Sequence, residues 1–195
     1  MAPPPARAAS PLSPLPNYTR HITTHDPATT LATIHSSDPG AWQTIENSTF
    51  DFSTVYTTSQ FPAELTNDAD LAAHETLIAS NTLGLVNPGG TVCRVVDFAP
   101  GKAPLMHRTR SLDYGIVLEG ELEMVLDSGE TRRLKRGDIA VQRGTMHAWR
   151  NPDPEKWARM VFVLQDCRPI GVGGRALGED LGGAREILPS DGGVK

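Results

Sequence analysis

Along most of the chain, apolar and polar positions alternate in short runs instead of recurring at helical spacing. From Thr91 onward the runs are dense: Thr91 to Phe98, Asp113 to Leu118, Glu121 to Leu126, Thr131 to Leu134, Ile139 to Gln142, His147 to Arg150 and Arg159 to Leu164. Gly120, Asp127-Ser128-Gly129, Gly137-Asp138, Gly144 and Asn151-Pro152-Asp153-Pro154 divide them. Short strands about ten residues apart, broken by glycine turns, predict an all-β antiparallel sandwich or barrel. Leu122, Met124 and Leu126 alternate with Glu121 and Glu123, which gives that strand one wet face. The run from Leu112 to Leu118 is apolar on both sides instead, so its outward face needs a cover: the N-terminal strands or a second subunit.

Upstream the pattern is weaker. Thr- and His-containing stretches between Tyr18 and Gly40 predict edge strands with polar faces, and Phe50 to Pro62 predicts a further strand or two. Asn67 to Ile78 is the best helix candidate, with Asn67 or Asp68 as cap and Leu71, His74, Leu77 and Ile78 on one side. Residues 1–17, rich in Pro and Ala, predict a disordered tail; 18–168 form the barrel domain with its N-terminal strands; the glycine-rich 169–195 predicts an extended C-terminal tail.

Composition narrows the class. At 195 residues the chain is one domain with a real core, and 18 Gly and 16 Pro suit many short strands and turns. A net charge of −5 argues against nucleic acid or an anionic membrane as partner. Cys93 and Cys167 are too few for a disulfide framework, and no apolar run approaches a membrane span. The first 16 residues lack the apolar core of a signal peptide, so a cytoplasmic protein is expected.

The chemistry concentrates in four positions. His107 and Thr109, two apart, share one side of a strand; Asp113 opens the next strand, and His147 follows the turn at Arg143-Gly144. Two imidazoles and a carboxylate converging inside a barrel make either a metal site of the two-His-one-carboxylate kind, suited to Fe, Mn, Ni or Zn, or a metal-free acid–base site. The structural alternative is a buried Asp113–His147 pair. Trp149, Thr109, Val117, Val141 and Phe162 are the expected substrate-binding wall, while Tyr114 faces outward and Arg94 and Arg108 read as charges at the barrel rim.

Gly101, His107, Thr109, Asp113 and Gly120, followed by Gly137, Gly144, His147 and Asn151, resemble in spacing the two motifs of the cupin superfamily. The resemblance implies a double-stranded β-helix barrel with an N-terminal arm and little helix, often dimeric through exchanged N-terminal strands. It also implies a divalent metal held by two histidines and an acid of the first motif and a histidine of the second. Here His107 and His147 match, Asp113 replaces a longer Glu, Thr109 stands where a His is usual, and Gln142 stands in place of a Pro. The chain further resembles small cupins of fungal and bacterial secondary-metabolite pathways. On that footing the expected function is lyase- or isomerase-like chemistry (dehydration, decarboxylation or cyclisation) on a hydrophobic oxygenated metabolite of polyketide or terpenoid type. His147 is the leading base, Asp113 orients or protonates, and His107 completes the site, in a homodimer. The alternatives are a metal-dependent dioxygenase and a non-catalytic metabolite-binding protein.

Overall fold

Side chains of a strand point alternately to its two faces, and that alternation sorts this chain into an inside and an outside. The computed structural model describes residues 12–46 and 49–190. In chain order the elements are β1 (Thr19–His25), β2 (Ala32–Pro39), β3 (Trp42–Ile45), β4 (Phe50–Thr58), α1 (Ala69–Ser80), β5 (Thr91–Phe98), β6 (Ser111–Glu119), β7 (Glu121–Leu126), β8 (Thr131–Lys135), β9 (Ile139–Arg143), β10 (His147–Arg150), β11 (Ala158–Asp166), β12 (Ile170–Val172) and β13 (Arg175–Leu177). Six strands pair in the order β3-β4-β5-β11-β6-β9, and three more in the order β10-β7-β8. The two sheets face one another as a double-stranded β-helix. Every strand expected from Thr91 onward is present, within a few residues of its expected ends.

The barrel interior is filled from both sheets by buried apolar residues, among them Val96, Phe98, Leu122, Trp149, Met160 and Leu164. Gly115, on the inner face of β6, leaves room for this packing. A Cβ there would lie 2.9 Å from Phe162 Cε1 and 3.0 Å from Met160 Cε.

On the outer face of the same sheet lies a buried polar cluster. Arg159 grips Asp97 with two parallel hydrogen bonds of 2.6 and 2.7 Å, and its guanidinium carbon stands 5.1 Å over the Trp42 ring. The N-terminal segment closes this cluster: Pro16 O accepts from Arg159 Nη1 at 2.6 Å, and the Ser13 amide donates to Asp51 at 2.7 Å. Residues 12–17 therefore pack on the barrel, which corrects the expectation that the tail runs to residue 17. The rest of that expected tail, residues 1–11, lies outside the described residues.

The strands β1 and β2 form a separate two-stranded hairpin. It leans on the helix, where Arg20 reaches His74 at 3.2 Å and Thr24 donates to Asp68 at 2.6 Å. Asp68 holds the cap position of α1 in a left-handed conformation (φ 54°) but makes no capping hydrogen bond, because its carboxylate faces Thr24. The hairpin does not cover β6, whose outward Tyr114 and Leu118 are 42% and 41% exposed beside Ile139 and Val141 of β9. No helix among the described residues is long and apolar enough to cross a membrane.

The C-terminal segment is more than an extended tail. After the β12–β13 hairpin it crosses the barrel as a strap, bonded to Arg108 through both backbone groups of Asp180. Glu46 and Glu186 hold it further along, with the Glu46 amide donating to Glu186 at 2.6 Å. Gly182 passes so close to Met106 that a Cβ would fall 1.9 Å from its carbonyl oxygen. Leu181 and Ile187 then pack against the core.

Candidate active site

His107 and His147 sit directly opposite each other in a two-residue antiparallel bridge, with amide-to-carbonyl bonds of 2.8 and 2.9 Å in both directions. Their rings meet at a tilt of 47°, centroids 4.5 Å apart. In each, Nδ1 lies on the carbonyl oxygen two residues earlier: His107 on Leu105 at 3.0 Å, His147 on Thr145 at 2.9 Å. A carbonyl only accepts, so each Nδ1 carries the proton and each Nε2 keeps a bare lone pair when the ring is neutral. Burial lowers both rings from the usual histidine value. For His147 burial acts first and the neighbouring His107 second, and together they bring it down to about 4. Both rings are neutral at pH 7, and both Nε2 atoms are available.

Asp113 comes from the start of β6, where Thr109, Ser111 and Asp113 follow one another at alternate positions and so face one way. Thr109 donates to Asp113 Oδ2 at 3.2 Å, and Ser111, 2.9 Å from the Thr109 hydroxyl, gives its one proton to Asp113 Oδ1. Burial pushes the Asp113 carboxyl up to about 6 against the downward pull of these two hydroxyls. Asp113 and His147 make no hydrogen bond with each other, so the simple buried pair is not what forms.

These groups share one small cavity of about 70 Å³ inside the barrel. Its walls are mostly apolar and aromatic. Trp149 stands edge-on to His147 at 5.7 Å and leans on Phe162 at 5.6 Å. Of the expected wall, Trp149, Thr109 and Phe162 do line the cavity. Val117 does not: it is 1% exposed but packs in the core away from the cavity. Val141 is a plain correction. It is 54% exposed on the outside of β9, because Ala140 and Gln142 take the two inward positions.

The donor set bears on the implied metal. Two bare imidazole nitrogens suit a divalent ion, but the third donor does not converge with them. Asp113 is taken up by two hydroxyls, and Thr109 puts a weak neutral ligand where an imidazole would serve. Among the described residues no three His, Cys, Asp or Glu side chains come together in a way that holds a metal ion. The side chains as placed do not fit a metal bound by His107, Asp113 and His147 together.

Two site residues are not evident from the motif spacing. Ser111 is fully buried between Thr109 and Asp113; its parity with both was the available signal. Arg94, expected at the rim, is 5% exposed and lines the cavity instead. A cationic residue in the middle of an apolar strand, in phase with Val92 and Val96, was the signal there.

A family model described as "Cupin domain" matches residues 94–164 of this chain. The chain is 47% identical over 160 residues to phomopsin biosynthesis cluster protein D of Diaporthe leptostromiformis, covering 82% of this chain and 84% of that protein. It is 43% identical over 168 residues to oryzines biosynthesis cluster protein J of Aspergillus oryzae, covering 86% and 93%. It is also 41% identical over 181 residues to cupin-domain-containing oxidoreductase fogC of Aspergillus ruber, covering 88% and 84%. Among solved structures, KdgF from Halomonas sp. aligns with a TM-score of 0.42 at 22% identity, covering 65% of this chain and 86% of that one.

Proposed function

The chain belongs to the cupin family and is similar to proteins of fungal secondary-metabolite clusters, and from that premise we propose that it is an enzyme acting by proton transfer on a hydrophobic oxygenated metabolite. The reaction class is lyase- or isomerase-like: dehydration, decarboxylation or a cyclisation of a polyketide- or terpenoid-type compound. One observation carries the reading. A buried carboxyl with a pKa of about 6 shares a small, mostly apolar cavity with two bare imidazole nitrogens. A proton carrier works best when its pKa lies near the working pH; Asp113, at about 6, meets that condition and His147, at about 4, does not. The roles therefore shift from the expected ones. Asp113 takes the proton from the substrate and returns it at a second position. His147 and His107, neutral, accept hydrogen bonds from substrate hydroxyls at Nε2 and hold them in place. Trp149 and Phe162 exclude water and fix the ring of the substrate.

Proton abstraction leaves a signature that requires no knowledge of the product. In D2O, the enzyme should exchange a carbon-bound hydrogen next to a carbonyl in at least one member of a panel of apolar ketones and hydroxy acids, read by proton NMR. Exchange in wild type that disappears in Asp113→Asn and His147→Ala supports the reading. No exchange by wild type, with saturable binding of the same compounds, favours a binding protein.

A second reading has one specific support, the printed name of oxidoreductase carried by four relatives, one from Aspergillus ruber, one from Hypocrea virens and two from Neurospora crassa. It is oxidation of the same class of compound. Elemental analysis separates the two: about one equivalent of redox-active iron or manganese per chain, required for turnover, would favour oxidation, whereas zinc, which has no redox chemistry, would not. The two unpaired thiols, Cys93 and Cys167, support a cytosolic setting. The uncovered apolar face of β6 and β9 supports a homodimer.

A further inference from the structure

Two cavities meet at Arg94. The small one holds His107, Asp113 and His147. The other is a cleft of about 800 Å³ bounded by the β1–β2 hairpin, α1 and the C-terminal strap. Phe52, Leu85, Arg94 and Ile187 line both, so they form the partition between them.

Arg94 is the unusual member of that partition. It is buried, and among the described residues no carboxylate pairs with it. Its guanidinium carbon lies 5.0 Å over the Phe52 ring; Nη2 donates to Gly84 O at 2.9 Å, and Nε, also buried, donates to nothing. Three of the four acids that share its cavities are engaged elsewhere, and the fourth, Glu75, is exposed on α1 and makes no ion pair with it. Asp113 is held by Ser111 and Thr109, and Glu186 is turned to the Glu46 amide. Arg20, the other arginine along the cleft, is paired with Asp38 at 2.9 Å. A guanidinium withdrawn from water without a partner is costly, and a fold keeps one where a ligand supplies the missing anion.

The register places this charge within reach of the histidine–aspartate site. Arg94 is opposite Phe162, which is opposite Gly115; one inward step along the sheet, Val92, Leu164 and Asp113 form the next row. Arg94 and Asp113 are thus separated by two strand spacings and one dipeptide, on the order of 10 Å. That is the length of a small metabolite.

We propose that Arg94 is the anchor for a carboxylate of the ligand, and that the ligand is an apolar carboxylic acid lying across the partition between barrel and cleft. This rests on the reading of the barrel cavity as the substrate site and specifies the class of substrate. A carboxylate is favoured over a phosphate by charge and shape. One uncompensated cation matches one negative charge, a guanidinium edge matches a planar carboxylate, and no Lys lines either cavity to help neutralise a dianion. Phe52, Leu85 and Ile187 cover the apolar body.

Binding tests this without turnover. Purified full-length protein is titrated by calorimetry and thermal shift with 4-phenylbutyrate, 6-phenylhexanoate and dodecanoate, each against its primary amide, and with inorganic phosphate. Wild type should bind at least one acid ten-fold or more tightly than its amide and ignore phosphate. Arg94→Met should lose that preference while melting at the wild-type temperature or above, since it removes an unpaired buried charge. Arg94→Lys should retain a reduced preference, and carries the test alone if Arg94→Met does not fold. Equal binding of acid and amide, binding of none of the acids, a response to phosphate alone, or an acid preference that survives Arg94→Met overturns the proposal. These outcomes are independent of the deuterium-exchange test: acid binding through Arg94 with no exchange would end the enzymatic reading and leave the anchor, and exchange with unaltered binding in Arg94→Met would do the reverse.

Discussion

The two faces of the six-stranded sheet both bury charged groups, and they treat them in opposite ways. On the outer face every strong donor and acceptor is answered: Arg159 is held by Asp97, Pro16 and the Trp42 ring, and Asp51 by Ser13 and Thr44. On the inner face Arg94 has no counter-ion, Nε2 of both histidines is bare, and the Asp113 carboxyl is raised toward neutrality. A fully satisfied buried cluster fixes structure. One that keeps unused hydrogen-bonding capacity is holding it for something that enters.

The largest expected effect concerns the inner face. If its unused groups serve chemistry, Asp113→Asn and His147→Ala should each lower turnover by about 10²- to 10⁴-fold, the usual share of a proton-transfer group. The double variant should fall little further, because the residues act as one unit. Thermal melts measured alongside should stay cooperative. An active Asp113→Asn enzyme would remove the contrast between the faces.

Next in size is the outer face. Arg159→Met strands Asp97, which has no exposed surface, as an unpaired buried carboxylate, and should cost about 3–5 kcal/mol in urea denaturation. Arg94→Met, one strand away on the opposite face, carries no such penalty in the free protein. Equal losses in both variants would mean that burial alone, and not pairing, decides what these arginines do.

The same contrast explains what could be read from the sequence. Strand positions follow from alternation and glycine turns, and the parity of His107, Asp113 and His147 was enough to bring them to one cavity. Parity failed where chemistry overrode hydrophobicity. In β9 the small Ala140 and polar Gln142 point inward and Ile139 and Val141 outward, the reverse of what apolarity predicts. A free charge avoids burial, so the sequence alone puts Arg94 at the rim, and only the fold reveals that its position on β5, in phase with Val92 and Val96, leaves it buried. The strap after β13 has no periodicity to detect. Its hold comes from backbone bonds to Arg108 and carboxylate bonds at Glu46, made by residues far apart in the chain.

The exposed apolar patch on the outer face marks the limit of that face's self-sufficiency. Tyr114, Leu118, Ile139 and Val141 lie together at the β6–β9 edge, and the proposal of a homodimer assigns them to its interface. Light scattering at micromolar concentration should report a dimer, and Tyr114→Lys with Ile139→Lys should shift it to monomer with the inner-face site intact. A wild-type monomer would leave this surface without a structural role.

The smallest effect sharpens the comparison most directly, through pH. The fold raises Asp113 from 3.8 to about 6, so its contribution to stability is complete below 3.8 and is lost as pH rises through 6. His147 is lowered from 6.5 to about 4, so its contribution is present above 6.5 and is lost as pH falls through 4. Between pH 4 and 6 the two slopes oppose, while His107 and His74, lowered by burial like His147, tilt the wild type toward greater stability as pH rises. Asp113→Asn removes the Asp113 slope. The variant should be more stable than wild type at pH 7, by about 1–3 kcal/mol, because it no longer buries an ionised carboxylate. That advantage should shrink toward pH 4, where Asp113 is protonated in the folded protein and costs nothing extra. Urea denaturation of both proteins at half-unit pH steps measures the difference. If the variant is instead less stable at pH 7, the hydroxyls of Ser111 and Thr109 satisfy the ionised carboxylate as fully as Arg159 satisfies Asp97, and the inner face is as structural as the outer one.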